Sequence, residues 1–330
     1  MFRKRVIAAI AIGLVLFSAV AHACNIPVFR YALERWKPDA AEVLVFSRGG
    51  LSGDEAAWVK QLDERTIENG GHLNASVLRI DVASEADSER VDLWEQLPSS
   101  VKSDLPYVIT RSKVGRARWI NHWHGTLGQA MSLGIASSPL RDQLKDRLLA
   151  GHSIVWLIVR SKDASKTDSA KRLLEESFKT LERKVQLPEG IGLPGSELYA
   201  DVPLVLQFST LEVDREDPKE RFLLGLVSGL REQAFREDEP LLVPVFGRGR
   251  ALEVIPASDA SPKLVEELTV FLSGACSCQV KEQNPGFDLL IESDWDGELF
   301  GDVENRPPDR SNEEGRNRDA VLVPIPPGRK

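Results

Sequence analysis

The chain has three cysteines, and two of them, Cys276 and Cys278, stand one residue apart. Thiols at that spacing have three chemical outlets. They can close a small ring whose strain raises its reduction potential, which makes a labile redox bond rather than a staple. As thiolates they can hold a soft ion, Cu or Zn. Either can instead pair with Cys24, tying the N-terminus to the far end of the chain and stabilising it by roughly 2–4 kcal/mol. His122 and His124, on either side of Trp123, are the second constellation. Side chains alternate along a strand, so a strand running through this triplet would put both imidazoles on one face. Together with the two thiols they would complete a tetrahedral zinc site. Nothing in the sequence brings the pairs together, and hydrogen-bonded histidines beside a packing tryptophan are the plainer expectation.

Other chemistry is thinly represented. Gly50-Leu51-Ser52-Gly53 is followed by Asp54 where a nucleophile elbow needs its second spaced glycine. Gly247-Arg248-Gly249-Arg250 does not lead directly into a helix, so it is no phosphate cradle. Paired-carboxylate, H-E-x-x-H and Walker motifs are absent from the sequence. No catalytic residue and no bound cofactor are expected beyond the thiol alternative. Arg111, Lys113, Arg116 and Arg118 crowd one turn, and Arg248 and Arg250 another. Solvated turns are the simpler reading of both, and a patch facing lipid headgroups the sharper one. The formal net charge of −8 argues against a nucleic-acid partner, which would require a basic surface.

A hydrophobic share of 42% against 28% charged residues is an ordinary globular balance, and 330 residues suffice for two cores. Arg3, Lys4 and Arg5 precede an uncharged run, Val6–Val20, and then Ala21-His22-Ala23. This is the pattern of a signal peptide over 1–23, so the protein is expected to be exported. Cys24 follows the cleavage point and is a lipidation candidate, which gives a periplasmic or a membrane-anchored protein.

Two stretches echo one another. Leu105–Ile120 and Leu242–Ile255 each read as a hairpin with a basic turn, and each is followed by a Ser-Pro-started helix ending at glycine (to Gly151 and Gly274). Upstream of each hairpin the same elements recur: Glu42–Phe46 and Ser153–Arg160 as buried strands, Ser76–Val82 and Pro203–Val213 as second strands, with helices between. The order is β-α-β-α-β-β-α twice. It predicts an α/β fold of two tandem units, 42–151 and 152–295. An N-terminal arm with a helix (24–41) precedes them and a disordered tail (296–330) follows.

This order resembles the thioredoxin fold, with Pro106 where that family places its cis-proline and Pro244 a looser counterpart. The resemblance implies a dithiol at the first strand–helix corner of each unit. Ser47–Glu55 and Arg160–Asp168 contain no cysteine, so redox chemistry at the usual corner is lost. Two independent copies would each close their own sheet, and one continuous sheet would contradict that independence. The stretches CNIPVFRYALERW (Cys24–Trp36) and CSCQVKEQNPGFDLL (Cys276–Leu290) further resemble signatures of an exported family of planctomycete-type bacteria found beside ABC-type permease genes. That resemblance implies export and an envelope partner, a transporter among the choices, and assigns no activity. The combined expectation is a non-catalytic scaffold module, with a thiol-disulfide or soft-metal protein acting through Cys276 and Cys278 as the alternative.

Overall fold

The computed structural model describes residues 25–308 except 85–87, 116–117, 277–280, 282–285 and 302. The expected signal peptide, the lipidation site Cys24, Cys278, Arg116 and the tail beyond 308 therefore lie outside the described residues. Among the described residues no helix is long and apolar enough to cross a membrane.

Ten strands form one mixed sheet. In the first half β1 (Ala41–Ser47) lies between β2 (Ala75–Asp81), parallel to it, and β3 (Tyr107–Val114), antiparallel, and β4 (Arg118–Thr126) returns along β3. The second half repeats this with β5 (Ile154–Val159) between parallel β6 (Phe208–Val213) and antiparallel β7 (Leu241–Phe246). Its return strand is broken into β8 (Arg250–Ala251) and β9 (Ile255–Pro256), both paired to β7. The matched order anticipated from the echo is present.

The independence of the two units is not. A two-residue strand, β10 (Phe287–Asp288), pairs through Phe287 with Val114 of β3 on one side and Ala251 of β8 on the other. The halves thus share a single sheet ordered β2-β1-β3-β10-β8-β7-β5-β6. The reason is an unsatisfied edge on each half, which the sequence fills from its own C-terminal segment instead of leaving bare.

Helices cover both faces. β5 reads IVWLIV and is buried throughout. Val155, Leu157 and Val159 enter one apolar cluster, while Ile154, Trp156 and Ile158 enter another on the opposite face. β1 divides likewise, with Val43 and Val45 on one side and Leu44 and Phe46 on the other. In the first half the layers are α2 (Gly53–Glu64), α3 (Ser88–Glu95), α4 (Leu127–Leu133) and α5 (Pro139–Leu149). In the second they are α6 (Ala164–Lys184), α7 (Arg221–Leu230), α8 (Glu232–Arg236) and α9 (Pro262–Ser273). The N-terminal arm contributes α1 (Val28–Arg35), buried from Val28 to Glu34.

The tail expected to be disordered from 296 instead begins with a helix, α10 (Trp295–Phe300). Asp294 caps it by accepting from Gly297 N at 3.0 Å, and Trp295, Leu299 and Phe300 are buried against the core. Three apolar side chains on one turn outweigh the acidic residues between them.

The halves also press together at α7. A Cβ on Gly225 would lie 1.9 Å from the His122 carbonyl oxygen of β4. Gly225→Ala is therefore expected to lower stability by about 1–3 kcal/mol, because backbone must move to admit the methyl group. A lowered urea midpoint measures it, and an unchanged midpoint would mean that α7 does not seat on β4.

Candidate functional site

The residues with chemical potential gather where the arm, the hairpin turns and the C-terminal segment meet. α9 ends at Gly274, whose carbonyl accepts from Val28 N at 3.0 Å. Pro27 and Ala275 form an antiparallel bridge, and Cys276 N donates to the Ile26 carbonyl at 2.9 Å. Cys276 is buried in the apolar cluster that includes α1 and α9. Lys281 reaches the Lys37 carbonyl and Asp39, and Asp288 accepts from Asp39 N at 2.6 Å. The two stretches singled out at Cys24–Trp36 and Cys276–Leu290 are thus in direct contact through Ile26 and Cys276.

Below that junction, α1 carries charge into the core and satisfies it there. Arg30 Nε meets Glu34 Oε1 at 2.8 Å, and Arg30 Nη2 donates to the Ala200 carbonyl at 2.6 Å. Glu34 also accepts from Arg35 at 2.9 Å and from Tyr199 N and Ala200 N at 3.2 Å. Burial lowers the Arg30 guanidinium from its ordinary range, and Glu34 opposes that shift. Both oxygens of the Glu34 carboxylate are hydrogen-bonded, as a buried pair requires.

Of the turn arginines, Arg111, Arg248 and Arg250 are drawn into ion pairs and are not solvated. Arg111 is buried, paired with Glu42 and placed 4.8 Å from the Trp119 ring centre. Arg250 is buried against Asp288 at 3.1 Å. Arg248 donates to the Leu33 and Glu34 carbonyls at 2.7 and 3.0 Å, closing the C-terminus of α1, and pairs with Asp296 at 2.7 Å. Burial lowers its guanidinium, with Asp296 pulling the other way. Lys113 is half-buried, and Arg118 stays exposed. Arg111, Arg248 and Arg250 each have an acidic partner far away in sequence, which is why local composition alone reads them as solvated.

His122 and His124 do not share a face. β4 runs through both, but the pairing slips between Thr110 and Arg111, so His122 becomes an extra residue in the ladder. His122 then faces Ser112 (Nε2 to Oγ, 3.0 Å) and Thr110, whereas His124 Nδ1 meets the Tyr107 hydroxyl at 2.6 Å. Even and odd residues of β3 point to opposite sides, so the two imidazoles do also. Burial drives the His122 imidazole down to about 4; a bond to the Phe222 backbone opposes this and the charge of Arg141 adds to it. Among the described residues no group of three or more His, Cys, Asp or Glu is placed to hold a metal ion.

The two strand–helix corners are closed by structural bonds. At the first, Ser52 and Glu55 form a capping box at the start of α2, with Ser52 Oγ donating to Glu55 at 2.7 Å. These bonds from Ser52 hold Glu55 below the usual carboxylate range. The N-cap is therefore Ser52. Across the sheet Phe46 pairs with Tyr107, just after Pro106, whose peptide bond to Leu105 is cis. Pro244 lies inside β7 opposite Trp156, and its peptide bond is not among the cis bonds. At the second corner Asp238 accepts from Lys162 N at 2.9 Å and Ser161 Oγ at 2.8 Å and pairs with Arg215 at 2.7 Å. The first two bonds bring its carboxyl down to about 2.

One cleft of about 700 Å³ lies between α8, β9 and the start of α9. Glu237, Glu239, Glu253, Asp259 and Glu267 rim it, against Arg231 and Lys263. Burial raises Glu253 above the ordinary carboxylate range, Arg231 opposing and Asp259 adding. Sequence reasoning missed this cleft, for which the acidic run Glu232–Glu239 was the available signal. Glu239 is engaged with Ser258 at 2.8 Å.

No protein-family model matches the chain, and no characterised protein matches it in sequence.

Proposed function

We propose that this is an exported, non-catalytic envelope protein whose two thioredoxin-like halves form one rigid scaffold for a partner protein. The observation that carries this is the state of the two corners: where thioredoxin-like proteins keep their dithiol, Ser52, Glu55, Ser161 and Asp238 are bound up in caps and turns. The repeated strand order and Pro106 at the head of β3 support the fold assignment. Contact between the two signature stretches supports treating them as one unit, and the resemblance they carry points to an ABC-type transporter as the partner. Cys24, immediately before the docked arm, is the anchor to the membrane.

A second reading, thiol-disulfide or soft-metal chemistry at Cys276 and Cys278, rests on their C-x-C spacing, and the apolar burial of Cys276 weighs against it. Thiol titration with and without reductant, with metal analysis of the purified protein, separates the two. The scaffold reading expects no bound copper or zinc and no activity toward a test disulfide. A reducible Cys276–Cys278 bond or stoichiometric metal would replace it with the second. The anchor is checked by mass: a mature chain beginning at Cys24 without diacylglycerol would remove it.

A further inference from the structure

The geometry points to a membrane-resting face: we infer that the Gly190–Gly195 turn sits on the lipid surface with Leu193 entering the boundary between headgroups and acyl chains. Leu193 is 61% exposed, more than any other large hydrophobic side chain described. A single exposed leucine is ordinary on a soluble surface, so its position must carry the inference.

The turn reads Gly-Ile-Gly-Leu-Pro-Gly and holds no charge. Its shape is fixed: Leu193 N donates to Gly190 O at 3.2 Å, Ser196 N to Leu193 O at 2.8 Å and Gly192 N to Ser196 O at 2.8 Å. A fixed turn presents its apolar tip without an ordering cost on contact.

This turn is also where the N-terminal chain enters the folded body. Asn25 N donates to the Oγ of buried Ser196 at 2.9 Å, and Gly190 abuts the Asn25 side chain. Cys24, the lipidation candidate, is the residue immediately before Asn25. At about 3.6 Å per extended residue, an N-terminus held in a bilayer at Cys24 cannot keep Asn25 more than a few ångströms from the lipid surface. No slack remains for the body to turn another face to the membrane. A second exposed apolar side chain, Val270 at 50%, stands one turn before Gly274, which binds the arm at Val28. With a net charge of −8 the contact is apolar in nature and does not depend on anionic lipid.

The inference rests on the proposed anchor, and the test separates them. The full chain, produced with its own N-terminus, is mixed with phosphatidylcholine vesicles containing doxyl-labelled phosphatidylcholine. Tryptophan is placed by Leu193→Trp or, as a control on the first half, by Ile67→Trp at a site 49% exposed. Emission added over the unaltered chain is read in the floating fraction. At least about twofold stronger quenching at Leu193 than at Ile67, unchanged by salt, is expected. A floating chain with equal quenching at both sites overturns the orientation and leaves the anchor standing. A chain that does not float overturns both.

Discussion

Replacement of Arg141 by methionine is expected to lower the stability of the folded chain by about 3–5 kcal/mol, the range for removing one partner of a buried charge pair. Arg141 is almost wholly buried on α5. Its Nε donates to Ser138 Oγ at 2.8 Å, and its Nη1 to the Ile135 and Leu290 carbonyls at 3.0 and 2.8 Å. Glu220, from the second half and equally buried, accepts from Ser138 Oγ at 2.6 Å and from Leu140 N at 2.8 Å. It completes the cap of a helix in the first half. Burial brings the Arg141 guanidinium down to about 10 while Glu220 pulls it back, so Arg141 stays charged at neutral pH. Methionine fills much of the space but leaves the Ile135 and Leu290 carbonyls without their donor and removes the positive charge that faces Glu220. Urea unfolding should show a lower midpoint with the slope preserved. Replacing Glu220 by leucine as well should recover part of the loss, since an apolar pair leaves no buried charge. Full additivity of the two substitutions would mean that the pair does not interact.

The second large effect is expected with pH. His122 has a folded pKa of about 4 against an ordinary value of 6.5. The unfolded chain therefore takes up the proton first as pH falls. The stabilisation is complete above 6.5, is lost progressively between 6.5 and about 4, and levels off below. That gap corresponds to about 3 kcal/mol. Other carboxyl groups titrate in the same window, so the measurement is the difference between the chain and His122→Gln. Stability of the unaltered chain should fall more steeply from pH 6.5 to 4 than that of the variant. Parallel curves would show that the imidazole takes its proton in the folded state without penalty. Because Arg141 helps hold His122 neutral, Arg141→Met should also move the steep region to higher pH.

Local patterns carried most of the architecture. The apolar run of β5, the strand Leu241–Phe246 and the two Ser-Pro helix starts are set by neighbours in sequence, and they lie where periodicity puts them. What escaped depends on partners hundreds of residues away. β10 has only two residues and no pattern of its own, and its place follows from the bare edges of β3 and β8. Arg111, Arg248 and Arg250 look like surface charge until Glu42, Asp296 and Asp288 are brought beside them. The histidine pair failed for a subtler reason: one register slip reverses alternation, and no composition rule announces a bulge. At the candidate site, the junction of Ile26 with Cys276 was weighed only as one cysteine pairing among three, because sequence spacing has no means of ranking contacts between the two ends of a chain.

The placement of β10 has a bearing on how the protein is made. Synthesis runs from the N-terminus, so Phe287 and Asp288 arrive after every other described strand has been delivered. Until then both partially assembled halves wait with open hydrogen-bonding edges, vulnerable to pairing with one another's copies on neighbouring nascent chains. Completion of the sheet thus waits on this segment, and a chain interrupted before Gly286 would leave both halves with bare strand edges.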